Sequence, residues 1–360
     1  MKFLVIPDSF KGSISSKEFC EIAKKALRSD ANDEVECYPI CDGGEGSIDC
    51  LTEIFNGKTV SAPVTDGNLF KRKAIYGYDK TKAFISVAES SGLAKTLIKD
   101  PFVTTTMGMG EQILQAKHLG KKEFILCLGG SSTNDGGAGL VYALGGKFIN
   151  ANGEIFLPTG GNLSEIASID LTDFYKNIEG LKFTAMCDVT NPLLGKNGCS
   201  YVYAPQKGAK KTDEVAKLEQ NMQDFAKATA FLGIDPSTPG AGAAGGLGYC
   251  VLAFLKGKLI RGIDYILDSI DFKTKASASD AIITGEGKYD ASTSYGKAIR
   301  GIMDKAKEVG KNVYVFCGKN EVPDDDRVHE LNDPHLTLQD NMNLTAEHLE
   351  SALKQFRASL

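Results

Sequence analysis

Four aspartates share one kind of position. Asp8, Asp42, Asp188 and Asp290 each stand at or just beyond the end of an apolar, strand-like run. In open α/β sheets, ligands bind outside the carboxyl ends of the strands. Carboxylates there can hold Mg²⁺, directly or through water, or accept a proton from a hydroxyl. Any one of them alone reads equally well as a helix cap or Asx-turn; all four serving only as caps is disfavoured. Three lysines stand beside glycines: Lys11 before Gly12-Ser13, Lys207 in Pro-Gln-Lys-Gly and Lys288 in Gly-Glu-Gly-Lys. Cations set among carboxylates and glycine-rich anion sites suit phosphoryl transfer, in which catalysis is mostly positioning and charge neutralisation.

Glycine-rich loops supply the second half of that chemistry. After the apolar run Phe124-Ile125-Leu126-Cys127, residues 128–139 read Leu-Gly-Gly-Ser-Ser-Thr-Asn-Asp-Gly-Gly-Ala-Gly. A strand running through such a loop into a helix presents backbone N–H groups to an anion. Residues 41–47, 240–248 and 284–290 have a similar make-up. Gly240–Gly245 fits Gly-x-Gly-x-x-Gly, but the preceding Asp-Pro-Ser-Thr-Pro is no strand, as the dinucleotide fingerprint requires. That match alone carries the alternative reading, an NAD(P)-dependent oxidoreductase of a small hydroxy acid. There is neither a Walker A motif nor the protein-kinase motif set.

The elements that must position these groups alternate, which argues for an α/β fold. The opening is βαβα: Lys2–Ile6 as strand, a helix capped by Ser15 or Ser16 with Phe19, Ile22, Ala23, Ala26 and Leu27 on one face, Glu34–Ile40 as strand and Ile48–Phe55 as helix. Antiparallel strands follow at Lys58–Val64, Lys71–Tyr78 and Lys82–Val87. Beyond them come a helix at Gly108–His118, strands at Phe124–Leu128 and Phe183–Cys187, and helices at Lys211–Phe231 and Leu247–Leu255. The tail returns to the opening pattern, with strands at Ala281–Thr284 and Asn312–Cys317, helices at Lys297–Val309 and Thr345–Ala358, and a polar loop region at Asn320–Asp333. The expectation is one domain from both chain ends, 1–60 plus 278–360, with 61–277 inserted as a second mixed α/β domain.

Composition narrows the partners. A length of 360 residues, 42% hydrophobic and 24% charged, suits two ordinary globular domains. Net charge is −5 without a basic block, which argues against nucleic acid or an anionic membrane. No run is long and apolar enough to predict a span, and the apolar part of the first residues is too short for a signal peptide. Nine scattered cysteines without Cys-x-x-Cys read as reduced thiols of a cytoplasmic protein. The four histidines lie in polar or amphipathic stretches far from the glycine loops, which disfavours a zinc site or a Ser-His-Asp triad.

The ordered set of motifs resembles the type I glycerate kinases nearly end to end: Pro7-Asp8-Ser9-Phe10-Lys11-Gly12, Asp42-Gly43-Gly44-Glu45-Gly46, Thr105-Thr106-Met107-Gly108 and Gly129–Gly137. The match continues through Cys187-Asp188-Val189-Thr190-Asn191-Pro192-Leu193, Pro205-Gln206-Lys207-Gly208-Ala209, Pro239–Gly248, Thr284–Asp290 and Gly296-Lys297. The resemblance implies ATP-dependent phosphorylation of D-glycerate with Mg²⁺, typically to 2-phosphoglycerate. It implies a Rossmann/flavodoxin-like domain made from both chain ends, an inserted α/β domain, and an active site in the cleft between them. On that reading Asp188 is the general base or orients the attacked hydroxyl, and Lys11 neutralises transferring phosphate or the substrate carboxylate. Asp42 and Glu45 hold Mg²⁺ or substrate hydroxyls, with Asp42 also among the catalytic groups. Asp8, Asn191, Glu286, Lys288 and Asp290 form the substrate side. Gly129, Gly130, Ser131, Ser132, Asn134 and Asp135, with Gly242 and Gly245, cradle the ATP phosphates, and domain closure brings the carboxylates to them. Three residues depart from the family pattern: Lys288 in place of Arg, Ser292 in place of Gln, and Ile299 in place of Pro. A lysine cannot reproduce a bidentate arginine clamp, so substrate preference is where these departures bear.

Overall fold

The computed structural model describes residues 1–360 except 41, 42, 45, 291–297, 323 and 324. In chain order the elements are β1 Lys2–Val5, α1 Ser16–Ala26, β2 Glu34–Cys37, α2 Ser47–Ile54, β3 Lys58–Thr65, β4 Lys71–Tyr78, β5 Lys82–Ser86, α3 Val87–Ser91, α4 Met107–His118, β6 Glu123–Cys127, α5 Ala138–Ala143, β7 Lys147–Ile149, β8 Ile155–Phe156 and β9 Ser168–Asp170. They continue with α6 Thr172–Ile178, β10 Lys182–Met186, α7 Cys199–Lys207, α8 Thr212–Ala228, α9 Ala243–Ala253, β11 Lys258–Ile260, α10 Gly262–Ser269, α11 Phe272–Ala278, β12 Ala281–Tyr289, α12 Ala298–Glu308, β13 Val313–Asn320, β14 Val328–Glu330 and α13 Leu338–Ser359. No helix among the described residues is long and apolar enough to cross a membrane. The fold is α/β, and the chain divides into two compact units, Met1–Asp42 with Gly262–Leu360, and Gly43–Arg261.

The first unit carries a five-stranded sheet in the order β14-β13-β12-β1-β2, with every pairing parallel. Numbered by its own strands and read from the other edge, that is 2-1-3-4-5, the doubly wound, flavodoxin-like order whose switch point lies between the first and third strands. Here those strands are β1 and β12. Buried Phe3, Val5, Ile283 and Phe316 on the sheet meet Phe19, Ala23 and Leu27 on or just after α1 and Leu349, Leu353 and Phe356 on α13. Ser15 starts α1 with a reciprocal capping box to Glu18, an arrangement that satisfies two orphan backbone donors at once.

One buried carboxylate ties this unit together. Asp33 accepts from the amino group of Met1 at 2.8 Å, from Arg357 on α13 at 3.1 Å, and from the amides of Ser29 and Asp30. The Met1 ammonium, helped by those amides and the Arg357 guanidinium, holds this carboxyl well below the usual carboxylate range. A carboxylate depressed in the fold contributes stability fully above its unfolded value near pH 4 and loses it as pH falls below that. Asp33→Asn is therefore expected to lower Tm at pH 7. Thermal melts at pH 7, 5 and 3 should show the gap from wild type closing toward pH 3; a gap constant across that range would refute the linkage.

The second unit carries a six-stranded mixed sheet in the order β11-β10-β6-β5-β4-β3, antiparallel only at β3-β4 and β4-β5, and a small antiparallel sheet, β8-β7-β9. Its central strands are continuous apolar runs, Ala83-Phe84-Ile85 and Phe124–Cys127, as expected of parallel strands covered on both faces. Leu140, Phe225, Leu247 and Phe254 join the same core.

The unit boundaries differ from the expected 60/61 and 277/278. α2 packs against β3, β4 and β5 of the second unit, with Ile48 and Leu51 buried. α10 and α11 pack instead on α12 and β1; a Cβ on Gly301 of α12 would lie 2.9 Å from Ile263. β12 also runs on through Tyr289, so Gly-Glu-Gly-Lys is strand rather than loop. Pairing with β13 continues to Tyr289 opposite Asn320 and supplies the ladder. α13 starts earlier than expected, at Leu338, because the Thr337 side chain caps the Asp340 amide. The polar 320–333 region also contains a short strand, β14.

Candidate active site

In the second unit the parallel strands deliver three segments to one edge. Ser86, Cys127 and Met186 lie level on β5, β6 and β10. Gly129 and Asp188 thus each come two residues past the same level on adjacent strands. Gly129 donates its N–H to the carbonyl of Gly43 at 2.9 Å. A Cβ on Gly129 would lie 2.8 Å from Gly44 Cα and N, so only glycine permits this approach. A Cβ on Gly43 would stand 3.6 Å from the Met186 carbonyl oxygen. Gly130 and Asp188 are exposed at this edge. Beside it, Gly44, Gly46, Ser47, Ser86 and Glu89 line an open depression. Gly46, in the left-handed region at φ 78°, leads into α2 without a side-chain cap.

Behind this rim the glycine-rich loop turns inward. Ser131 through Gly139 are buried. Ser132 Oγ donates to the Ser91 carbonyl at 2.9 Å, and Asn134 Nδ2 to Ser200 Oγ at 3.2 Å. Asp135 accepts from Thr106 N and Oγ1, both at 2.8 Å, and from the amides of Gly137 and Gly139 at 3.1 and 3.3 Å. Burial pushes this carboxyl up while the four donors oppose the shift; a ring of donors fits the ionised, acceptor-only form. The side chains of Ser132, Asn134 and Asp135, expected on the nucleotide, are engaged inside the unit. Gly242 and Gly245 are buried too. Gly242 N–H bonds the Asn191 carbonyl at 2.9 Å, and the Gly245 carbonyl takes the Gly136 N–H at 3.0 Å. Gly245 has φ +71°, and a Cβ there would lie 2.0 Å from the Thr133 oxygen. These glycines let the loop after β6 cross in contact with the segment leading into α9 and its first, non-helical residues Ala244–Gly246. The surface such a loop can offer a ligand narrows to Gly129-Gly130.

Residues 235–242 form turns with no strand, so Gly240–Gly245 lacks the context that a nicotinamide site requires. Asn191 accepts from the Tyr203 hydroxyl at 2.6 Å and donates to the Asn197 carbonyl at 2.8 Å, which shapes the loop that carries Asp188.

In the first unit the candidates gather at the switch point. The Asp8 amide donates to the Gly285 carbonyl at 2.8 Å. A Cβ on Gly287 would lie 3.5 Å from Phe10 Cα and 3.6 Å from Lys11 N. The segments after β1 and along β12 thus lie side by side, bringing Asp8 and Lys11 to the same edge as Glu286, Lys288 and Asp290. Asp8 Oδ1 accepts the Ser9 amide at 2.7 Å. Lys11 is exposed. Lys288 Nζ sits 2.9 Å from Glu321 and 3.4 Å from Asp290. Glu321, then Asp290, push the lysine upward, so it stays an ammonium at neutral pH. Asp42 and Glu45, expected on the metal, lie outside the described residues, as do Ser292 and Gly296-Lys297.

Comparison with known proteins places this arrangement. The sequence profile of the Glycerate kinase family matches residues 3–360. The chain belongs to the glycerate kinase family. A glycerate kinase from Bacillus cereus is 39% identical, covering 99% of this chain and 97% of that protein. A glycerate 2-kinase from Escherichia coli is 37% identical over 88% of this chain and 85% of its own length. A crystal structure described as that of a glycerate kinase 2 from Salmonella typhimurium LT2 superposes with a TM-score of 0.88 at 34% identity, covering 100% of this chain and 98% of that one.

Two residues of this glycerate kinase family chain gain weight from the structure. Glu321, the partner of Lys288, was no sequence candidate, although it directly follows β13 much as Asp290 directly follows β12. Lys207, marked in the sequence by its glycine neighbour and by the Pro205–Ala209 match, lies wholly inside the second unit, bonded to Ser131 and Thr133.

Proposed function

We propose that the protein transfers the γ-phosphoryl group of ATP to a hydroxyl of D-glycerate, giving 2-phosphoglycerate, with Mg²⁺. The observation that carries this reading is the convergence of Gly43-Gly44, Gly129-Gly130 and the exposed carboxylate of Asp188 at one strand edge. The Gly129 N–H is taken by the Gly43 carbonyl, which leaves the exposed glycine backbone at Gly130 for phosphate; that backbone and a carboxylate for a hydroxyl proton are what the reaction needs. Asp188 orients the attacked hydroxyl and takes its proton as the oxygen bonds to phosphorus and ADP departs. Lys11 neutralises charge on the transferring group or the substrate carboxylate. Asp8, Asn191, Glu286, Lys288 and Asp290 serve the substrate side, with Asn191 acting through the loop it shapes.

Mg²⁺, when bound, neutralises charge between the phosphates. Such an ion keeps several waters and needs only one or two protein carboxylates besides phosphate. No cluster of three metal-ligating side chains occurs among the described residues, a pattern that this sparse ligation tolerates. Asp42 and Glu45 are the proposed ligands by resemblance.

The test is direct. Purified protein with ATP, MgCl₂ and D-glycerate should release ADP, and the ³¹P NMR spectrum of the product should show coupling to the single C2 proton. Coupling to two protons would assign the 3-phosphate instead. NADH formation from D-glycerate and NAD without ADP release would overturn the proposal.

A further inference from the structure

Lys207 is the last residue of α7, next to Gly208 at φ +125°, where a Cβ would lie 1.9 Å from the Lys99 oxygen. That close packing fixes the helix end, and a cation is favoured at a helix C-terminus. The side chain is 2% exposed. Nζ donates to Ser131 Oγ at 3.0 Å and to the Thr133 carbonyl at 2.7 Å. Both acceptors belong to the loop that starts at half-buried Gly129 and exposed Gly130. The charged or titratable groups facing it are Cys199 on its own helix and Asp135 across the loop. Glu219 of α8 faces Cys199 and accepts the Gly195 amide at 2.7 Å. No carboxylate forms an ion pair with Lys207 among the described residues. A buried ammonium without a hydrogen-bonded counter-ion is costly, and a Met could fill the same volume.

We infer that Lys207 is a positioning residue for phosphoryl transfer: held inside the loop, its ammonium fixes Ser131 and Thr133 and so sets the backbone of Gly129-Gly130 that faces the nucleotide. The inference rests on the proposed function. It acts through the loop and touches no substrate. It also predicts a pH dependence, because burial pushes the ammonium down to about 8. Above that pH the neutral amine donates more weakly and the loop loosens. Burial pushes the Cys199 thiol up to about 12, so it stays neutral over the same range.

The test compares wild type with Lys207→Met and Ser131→Ala by ATP and D-glycerate kinetics from pH 6 to 10, and by amide hydrogen exchange of residues 128–136. Lys207→Met is expected to raise the KM for ATP roughly tenfold, the loss of about one charge-assisted hydrogen bond, with the KM for D-glycerate within about twofold. Wild-type KM for ATP should climb above about pH 8, and the variant should lack that rise. Exchange should quicken at 129–136 but not on α4 or β10. Ser131→Ala should move the same quantities in the same direction by less, and it supplies the answer if Lys207→Met does not fold. Unchanged ATP kinetics, or exchange raised evenly across the second unit, would overturn the inference. A wild-type protein without ATP turnover would sink the proposed function instead, and exchange alone would then decide whether Lys207 orders the loop.

Discussion

Asp188→Asn is expected to lower kcat by about 10²–10⁴-fold, the range lost when a positioned general base is removed, while leaving Tm within about 2 °C of wild type. Asn has nearly the same shape and keeps one acceptor, but it cannot take the hydroxyl proton. Asp188 is exposed, and surface changes of this kind seldom move stability much. The loop around it is held by other groups: the Asn191 side chain between Tyr203 and Asn197, and Cys187 Sγ on the Val189 carbonyl at 3.3 Å. Steady-state kinetics at saturating ATP, set beside a thermal melt, separate the alternatives. A fall in kcat with KM for D-glycerate little changed marks an interaction made in the transition state. Near-normal turnover would remove Asp188 from the chemistry and leave it as a surface carboxylate of the strand end.

Much of the fold was legible because the strong signals are local. The apolar face of α1, the buried runs of β5 and β6, and the βαβα opening with its return at the tail all follow from periodicity. The strand-end positions of Asp8, Asp188 and Asp290 were legible for the same reason, since a carboxylate just past an apolar run is a local pattern. Packing between distant segments was not. Gly136, Gly137 and Gly139 read as a ligand cradle, yet Cβ atoms there would strike Phe225, Cys250 and Thr105. Nothing near residue 136 in sequence announces a phenyl ring from α8. Glycine needed for close approach to a ligand and glycine needed for close approach to another helix look alike until the second chain segment is in place. β12 was cut short in the sequence reading because Gly-Glu-Gly looks like a breaker; its pairing with β13 overrides that preference. β7, β8 and β9, at two or three residues each, fall below what alternation can reveal. α2 and α10 were allotted to the wrong units because their buried faces name no partner.

Asp135→Ala is expected to cost the second unit about 3–5 kcal/mol, the range for removing one member of a buried, hydrogen-bonded charged set. Two carboxylate oxygens serve four donors from Thr106, Gly137 and Gly139, and alanine leaves all four in a site that solvent does not reach. The change also removes the negative charge that faces Lys207 across the loop. At about 2–4 °C per kcal/mol for a unit of this size, the melting temperature should fall by about 10 °C, with the loss in the transition of the second unit. Asp135→Asn should be milder but still destabilising, because its Nδ2 turns a donor toward donors. Activity would fall in both variants for want of folded protein, so specific activity must be referred to the folded fraction measured by circular dichroism. If Asp135→Ala melts within about 2 °C of wild type yet has lost its affinity for nucleotide, the carboxylate belongs to ligand binding, as the family resemblance implies. The buried four-donor set argues for the other outcome: Asp135 builds the loop, and only its rim at Gly129-Gly130 is left to meet the phosphates.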